Sequence, residues 1–119
     1  MKNKIVLVGE FTDLNRYINA ERSNRFMGAK IKKTNGDNAL KQLICTPWKG
    51  EYPVRVSFLW VTKNERIDPD NTAFAKKFLL DAIVTKGILK DDTRKCIKGF
   101  VDNYAVDAEN PRVEITIES

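Results

Sequence analysis

The sequence predicts a single α+β domain in which packed helices cover a mixed β-sheet, with the element order β-α-α-β-α-β-β. Three observations support this fold class. The 119 residues suit one domain, and a content of 42% apolar and 31% charged residues is typical of a folded globular chain. Apolar residues alternate with period two in some segments and recur every three to four residues in others. No repeat or linker divides the chain, so we expect one domain over residues 1–119.

The first half of the chain predicts two strands that flank a helical region. An apolar stretch over residues 4–9 ends in Gly9 and predicts a strand. A helical pattern runs from Leu14 to about Thr46, with a predicted break in the polar string 34–38. After a loop over 47–53, the alternating run 54–61 predicts a strand that carries Arg55 and Ser57 on one face.

The second half predicts one long helix and two more strands. Residues 72–86 carry an apolar stripe made of Phe74, Ala75, Phe78, Leu79, Ala82 and Ile83. Asp70 and Asn71 are suitable N-cap residues, and Gly87 is a natural helix stop. The remaining strands are expected near 96–106 and 112–118.

Several classes of chemistry are excluded by composition. The chain contains no histidine, which excludes Ser-His-Asp and Cys-His nucleophile systems, His-ligated zinc and nucleases with a histidine base. A hydrolase with this composition must activate water with a metal, a carboxylate or a lysine. The two cysteines, Cys45 and Cys96, lie far apart without a CxxC motif, and we expect both to be reduced packing residues.

The positive charge is concentrated at the N-terminal end. Residues 1–34 contain eight basic and three acidic residues and so carry the whole net charge of +5. Such an end either faces a polyanion or is a solvated basic helix, and charge alone does not decide between them. No apolar run approaches the ~20 residues of a membrane helix. The run Ile5–Val8 is too short for a signal peptide, so we expect a cytoplasmic protein without a membrane partner.

Two acidic pairs flank the predicted helix, namely Asp68 with Asp70 and Asp91 with Asp92. A helix from residue 71 to residue 86 would be about 24 Å long, so the pairs meet only if the following segment doubles back. If they meet, the clustered carboxylates suit Mg²⁺ or Mn²⁺, and such an ion can activate water and polarise a phosphodiester. If they do not, these residues are turn and helix-cap residues.

The order of motifs over residues 66–92 resembles that of the RusA family of Holliday-junction resolvases. The motifs are Arg66, the string Asp68-Pro69-Asp70-Asn71, a lysine-bearing helix with Asp81-Ala82, then Gly87 and Asp91-Asp92. The segment Asn15-Arg16-Tyr17 is similar to an Asn-Arg-Tyr segment of that family. The resemblance implies a RusA-like fold with Asp68, Asp70 and Asp92 as catalytic metal ligands for Mg²⁺, or alternatively Mn²⁺.

The resemblance also implies a catalytic lysine. Counting back from Asp81 places it at Lys77, which shares a helical face with Asp81, whereas counting forward from Asp70 gives Phe74. Lys76 is the adjacent alternative, and a plain surface ion pair between Lys77 and Asp81 remains open. The basic stretch before Asp68 is thin, so we expect phosphate contacts from Arg16, Arg22, Arg25, Lys30, Lys32, Lys33 and Arg66.

Taken together, the resemblance implies a homodimeric, metal-dependent endonuclease that cuts four-way DNA junctions in recombination and repair, in a bacterial host and related to phage or prophage. One alternative is a non-catalytic basic DNA-binding protein on the same fold. Another is a nuclease that acts on flaps or replication forks. Tyr17 and Phe26 either stack on unpaired bases or are buried in the core.

Overall fold

The computed structural model describes residues 1–119 and contains four strands and four helices. In chain order these are β1 (Lys2–Val8), α1 (Leu14–Ser23), α2 (Arg25–Gln42), β2 (Val54–Thr62), α3 (Pro69–Ala73), α4 (Lys76–Thr85), β3 (Ile97–Val106) and β4 (Arg112–Glu118). The strands form one sheet in the order β1-β4-β2-β3. The pairs β1/β4 and β4/β2 are antiparallel and β2/β3 is parallel, so the predicted mixed sheet in an α+β domain is confirmed.

The hydrophobic core lies between one face of the sheet and the helices. Alternate residues of the central strands, such as Phe58 in β2 and Ile115 in β4, are fully buried and belong to one cluster with Leu79 and Ile83 of α4. The intervening residue Arg55 is exposed, as the period-two pattern predicts. The core therefore fixes α4 against the sheet, and α4 carries much of the candidate site.

The break between the first two helices is at Asn24, and the predicted break at 34–38 is wrong. Asn24 caps α2 by accepting a hydrogen bond from the backbone N–H of Phe26 at 2.8 Å. The polar string stays helical because the buried Asn35 side chain donates to Thr12 Oγ1 at 2.9 Å and accepts from the Thr12 N–H at 3.0 Å. These bonds join α2 to the segment that precedes α1.

The predicted helix over 72–86 is divided into α3 and α4 by a turn at Phe74 and Ala75. Pro69 begins α3, so Asp70 lies in its first turn rather than at the cap, and Asp68 occupies the N-cap position without a side-chain cap hydrogen bond. Gly87 stops the helical segment with a φ of +80°, as predicted.

The two cysteines differ in environment. Cys96 is buried in the core as expected, whereas Cys45 is exposed, so the packing prediction is wrong for Cys45. No helix in the structure has the length and apolar character needed to cross a membrane.

Candidate active site

The chain doubles back after α4 and brings Asp92 to the first turn of that helix. With ten residues, α4 is only ~15 Å long. Gly87 reverses the chain, and Ile88 and Leu89 are then buried in the core. The N–H of Trp48 donates to the carbonyl oxygen of Ile88 at 2.8 Å and holds the returning segment in place. The chain therefore doubles back as far as Lys77, but it does not bring Asp92 into one group with Asp68 and Asp70.

Lys77 lies between two carboxylates at this end of α4. Its Nζ is 3.0 Å from Asp81 Oδ1 and 3.3 Å from Asp92 Oδ2. Hydrogen bonds to Asp81 and then to Asp92 raise the pKa of Lys77 above its ordinary value. The two carboxylates therefore stabilise the charged ammonium form of Lys77.

Lys76 points to the sheet and has a different environment. Its Nζ is 2.7 Å from Asp102 Oδ2 on β3, and it lies over the rings of Phe58 and Phe100 at 5.4 and 4.6 Å from their centroids. Trp60 Nε1 donates to the other carboxylate oxygen of Asp102 at 2.9 Å. This partly buried network anchors Lys76, whereas Lys77 stays exposed.

Asp68 and Asp70 lie at the exposed start of α3 and form no salt bridge. One oxygen of Asp70 accepts the backbone N–H of Asn71 at 2.9 Å. The pKa of Tyr104 on β3 is raised, mainly by partial burial and then by the charges of Asp102 and Asp70. Pro69 and Thr72 of α3 line one groove with Tyr104, so α3 lies beside β3.

The carboxylates suit a hard divalent cation in chemistry, but they do not form a cluster of three. No group of three or more acidic or cysteine side chains lies in an arrangement that could hold a metal ion. Asp68 and Asp70 offer oxygens free of cationic partners, whereas Asp92 is paired with Lys77. A metal bound by all three would require Asp92 to release or share that lysine.

The predicted phosphate-binding residues are all exposed, and most lie on the first two helices. They are Arg16, Arg22, Arg25, Lys30, Lys32, Lys33 and Arg66. Arg16 is the one member with a salt bridge, at 3.4 Å to Asp13. Lys32 and Lys33 line a groove between α2 and α4 together with Asp81, so part of the basic set borders the polar face of α4.

The two N-terminal aromatic residues have opposite environments. Tyr17 packs against Phe74 and Phe78 with centroid distances of 5.2 and 6.3 Å, so it is a packing residue. Phe26 is 67% exposed, and the guanidinium of Arg25 lies over its ring at 5.1 Å. Of these two residues, only Phe26 has an exposed ring.

Sequence reasoning missed Asp102 as the partner of Lys76, and Trp60 as the residue that donates to Asp102. The available signal was an acidic residue at alternate spacing with Phe100 and Tyr104, which places Asp102 on the same face of β3 as these aromatic residues. The sequence matches no model of a known protein family, and a search of curated proteins finds no match.

Proposed function

We propose that this protein is a metal-dependent endonuclease that hydrolyses phosphodiesters in branched DNA, with the four-way junction as its main substrate. The observation that carries the proposal is the return of the chain after α4, which places Asp92 3.3 Å from Lys77. Asp92 and the lysine-bearing helix α4 are thus in contact, and α4 follows Asp68 and Asp70 closely in sequence. This is the order of motifs in which the sequence resembles the RusA family.

The residues divide the chemical work in a specific way. Asp68, Asp70 and Asp92 would hold Mg²⁺, or Mn²⁺ in its place, and the ion would polarise the phosphodiester and activate a water molecule. Lys77 is an exposed lysine and so is charged at neutral pH, and its hydrogen bond to Asp81 raises its pKa further. Its charge would stabilise the negative charge that builds up in the transition state. Asp81 would act as a positioning residue that keeps Lys77 at this end of α4.

The exposed basic residues of α1 and α2 would hold the DNA backbone. Lys32 and Lys33 border the groove against α4, and the others continue the positive charge away from it. Contacts of this kind provide affinity and orientation without reading sequence. A two-fold homodimer would present two such sites to the paired strands of a junction. We place this activity in the cytoplasm of a bacterial host, in recombination and repair.

A second candidate is a non-catalytic protein that binds branched DNA through the same basic surface. It is favoured by the absence of a three-carboxylate cluster and by the pairing of Asp92 with Lys77. In that case Asp81 and Asp92 would only position Lys77, and Asp68 and Asp70 would be exposed residues at the start of α3.

A cleavage assay separates these functions. Purified protein is incubated with end-labelled four-way junction, flap, replication fork and linear duplex, each with Mg²⁺, Mn²⁺ or EDTA. We expect junction cleavage that requires the metal and that is lost in Asp70→Asn. Binding of the junction without cleavage under any metal condition would establish the non-catalytic candidate, and faster cleavage of flaps or forks would replace the junction as substrate.

A further inference from the structure

The hairpin formed by α1 and α2 contributes little to the core over its outer half. No residue of α1 is buried, and the first nine residues of α2 bury only Gly28. A Cβ atom at Gly28 would collide with the side chain of Glu21, so the two helices cross closely there. The outer half of the hairpin is thus held together locally and is otherwise open to solvent.

The tip of this hairpin, defined as residues 22–27, exposes apolar side chains beside arginines. Phe26 is 67% exposed and Met27 is 42% exposed, and neither belongs to the core cluster. Arg25 stacks on Phe26 with its guanidinium 5.1 Å from the ring centroid. An aromatic ring and a planar cation thus form one flat, solvent-facing unit.

The charge around the tip favours a polyanionic partner. Residues 20–33 contain one acidic residue, Glu21, against five basic residues, which are Arg22, Arg25, Lys30, Lys32 and Lys33. All five are exposed and none forms a salt bridge with an acidic residue. An anionic lipid surface would also attract this charge, but a membrane-bound helix needs a long apolar face. Here the exposed apolar side chains are confined to two consecutive residues.

We propose that the hairpin tip is the contact with the branch point of the DNA, where Phe26 stacks on an unstacked base and Arg22 and Arg25 hold the flanking phosphates. In a continuous duplex the neighbouring base pairs cover each other's faces, so no base face is available to Phe26. At a branch point stacking is interrupted and a base face becomes accessible to an aromatic side chain. The inference rests on the proposed function for its substrate class and assigns recognition to a part of the molecule distant in sequence from the carboxylates.

The test measures binding alone, so its outcome does not depend on cleavage. Affinity for a fluorescent four-way junction and for a duplex of equal length is measured in EDTA for the unchanged protein and for Phe26→Ala, Phe26→Leu and Phe26→Trp. We expect Phe26→Ala and Phe26→Leu to weaken junction binding by about tenfold, the size of one lost base stack. Duplex binding should change less than twofold, and Phe26→Trp should retain the preference for the junction.

A matched control is Ile44→Ala, which removes an apolar side chain that is 78% exposed in the loop after α2. It should leave both affinities unchanged. Junction preference that survives in Phe26→Ala, or that falls equally in Ile44→Ala, would overturn the proposal. Full junction binding by Phe26→Leu would show that Phe26 makes a general apolar contact and does not stack on a base. Tight, Phe26-dependent binding to phosphatidylglycerol vesicles would show that the tip binds a membrane. If the unchanged protein binds the junction preferentially but does not cleave it with any metal, the nuclease proposal is refuted and this inference still holds.

Discussion

The basic hairpin of α1 and α2 and the body formed by the sheet with α4 differ in how their side chains are used. In the body, apolar side chains are buried and several charged groups are paired, as Lys76 is with Asp102 and Lys77 is with Asp81. In the outer hairpin, the basic side chains lack acidic partners and Phe26 faces solvent. On the proposed function, the body would hold groups in place for chemistry, whereas the hairpin would offer its groups to the DNA.

The largest expected effect is the loss of cleavage when the proposed metal ligands of the body are replaced. Asp68→Asn, Asp70→Asn and Asp92→Asn should each abolish cleavage and leave junction affinity within about twofold, because metal ligation needs the charge while phosphate contacts come mainly from lysine and arginine. Activity is followed with the labelled junction in Mg²⁺, and affinity by gel shift in EDTA. Asp91→Asn is the control and should remain active. Affinity that falls in parallel with activity would mark these carboxylates as structural.

The next effect separates the two adjacent lysines. Lys77→Ala should lower the cleavage rate by ~10²–10³ with little change in affinity, because a charge that acts on the transition state is lost. Lys76→Ala should leave the rate nearly unchanged. It should instead lower the free energy of unfolding by ~1–3 kcal/mol, since it leaves the partly buried Asp102 carboxylate without its cationic partner. Single-turnover kinetics and urea unfolding measure the two quantities. A larger rate loss in Lys76→Ala would move the catalytic lysine by one residue.

The sequence was sufficient to predict the features that depend on local patterns. The alternation over 54–61 gave the buried and exposed faces of β2, and Gly87 gave the end of α4. Asp68, Asp70, Asp92 and the two lysines were chosen from the resemblance in motif order, and their catalytic roles stay a prediction. Whether the segment that carries Asp91 and Asp92 folds back along the helix could not be predicted from the sequence.

The features that were missed depend on contacts between distant residues. The hydrogen bonds of Asn35 to Thr12 span 23 residues and keep a polar, glycine-containing string helical. The ion pair of Lys76 with Asp102 spans 26 residues and depends on the register of β3 beside β2. Neither the pairing register nor the order of strands follows from local periodicity, so these partners were not predictable from one sequence.

A smaller effect compares the stability contributions of the two regions. Leu79→Ala removes a fully buried side chain of α4 and should lower the free energy of unfolding by ~2–5 kcal/mol. Met27→Ala, at the hairpin tip, should change it by less than about 0.5 kcal/mol. Urea denaturation of both variants measures the difference. A loss above about 1 kcal/mol for Met27→Ala would show that the tip packs against another part of the protein and is not free for a partner.

The smallest effect concerns the salt dependence of DNA binding, and it tests the hairpin directly. Each phosphate neutralised by a lysine or arginine releases counterions, so the slope of log K against log salt reports the number of such contacts. Replacing Arg22, Arg25 and Lys30 together with glutamine should flatten that slope by about two to three units on this scaling. The control replaces Lys49, Lys95 and Lys98, which are exposed and lie outside the hairpin, and so lowers the net charge equally. Both variants lose the same net charge, so the overall electrostatic field of the protein is reduced to the same extent in both. Only the hairpin variant also loses phosphate contacts, so only that variant should flatten the slope. Equal slopes in the two variants would show that the hairpin faces away from DNA. The hairpin would then have no role in DNA binding, even though its basic residues are exposed.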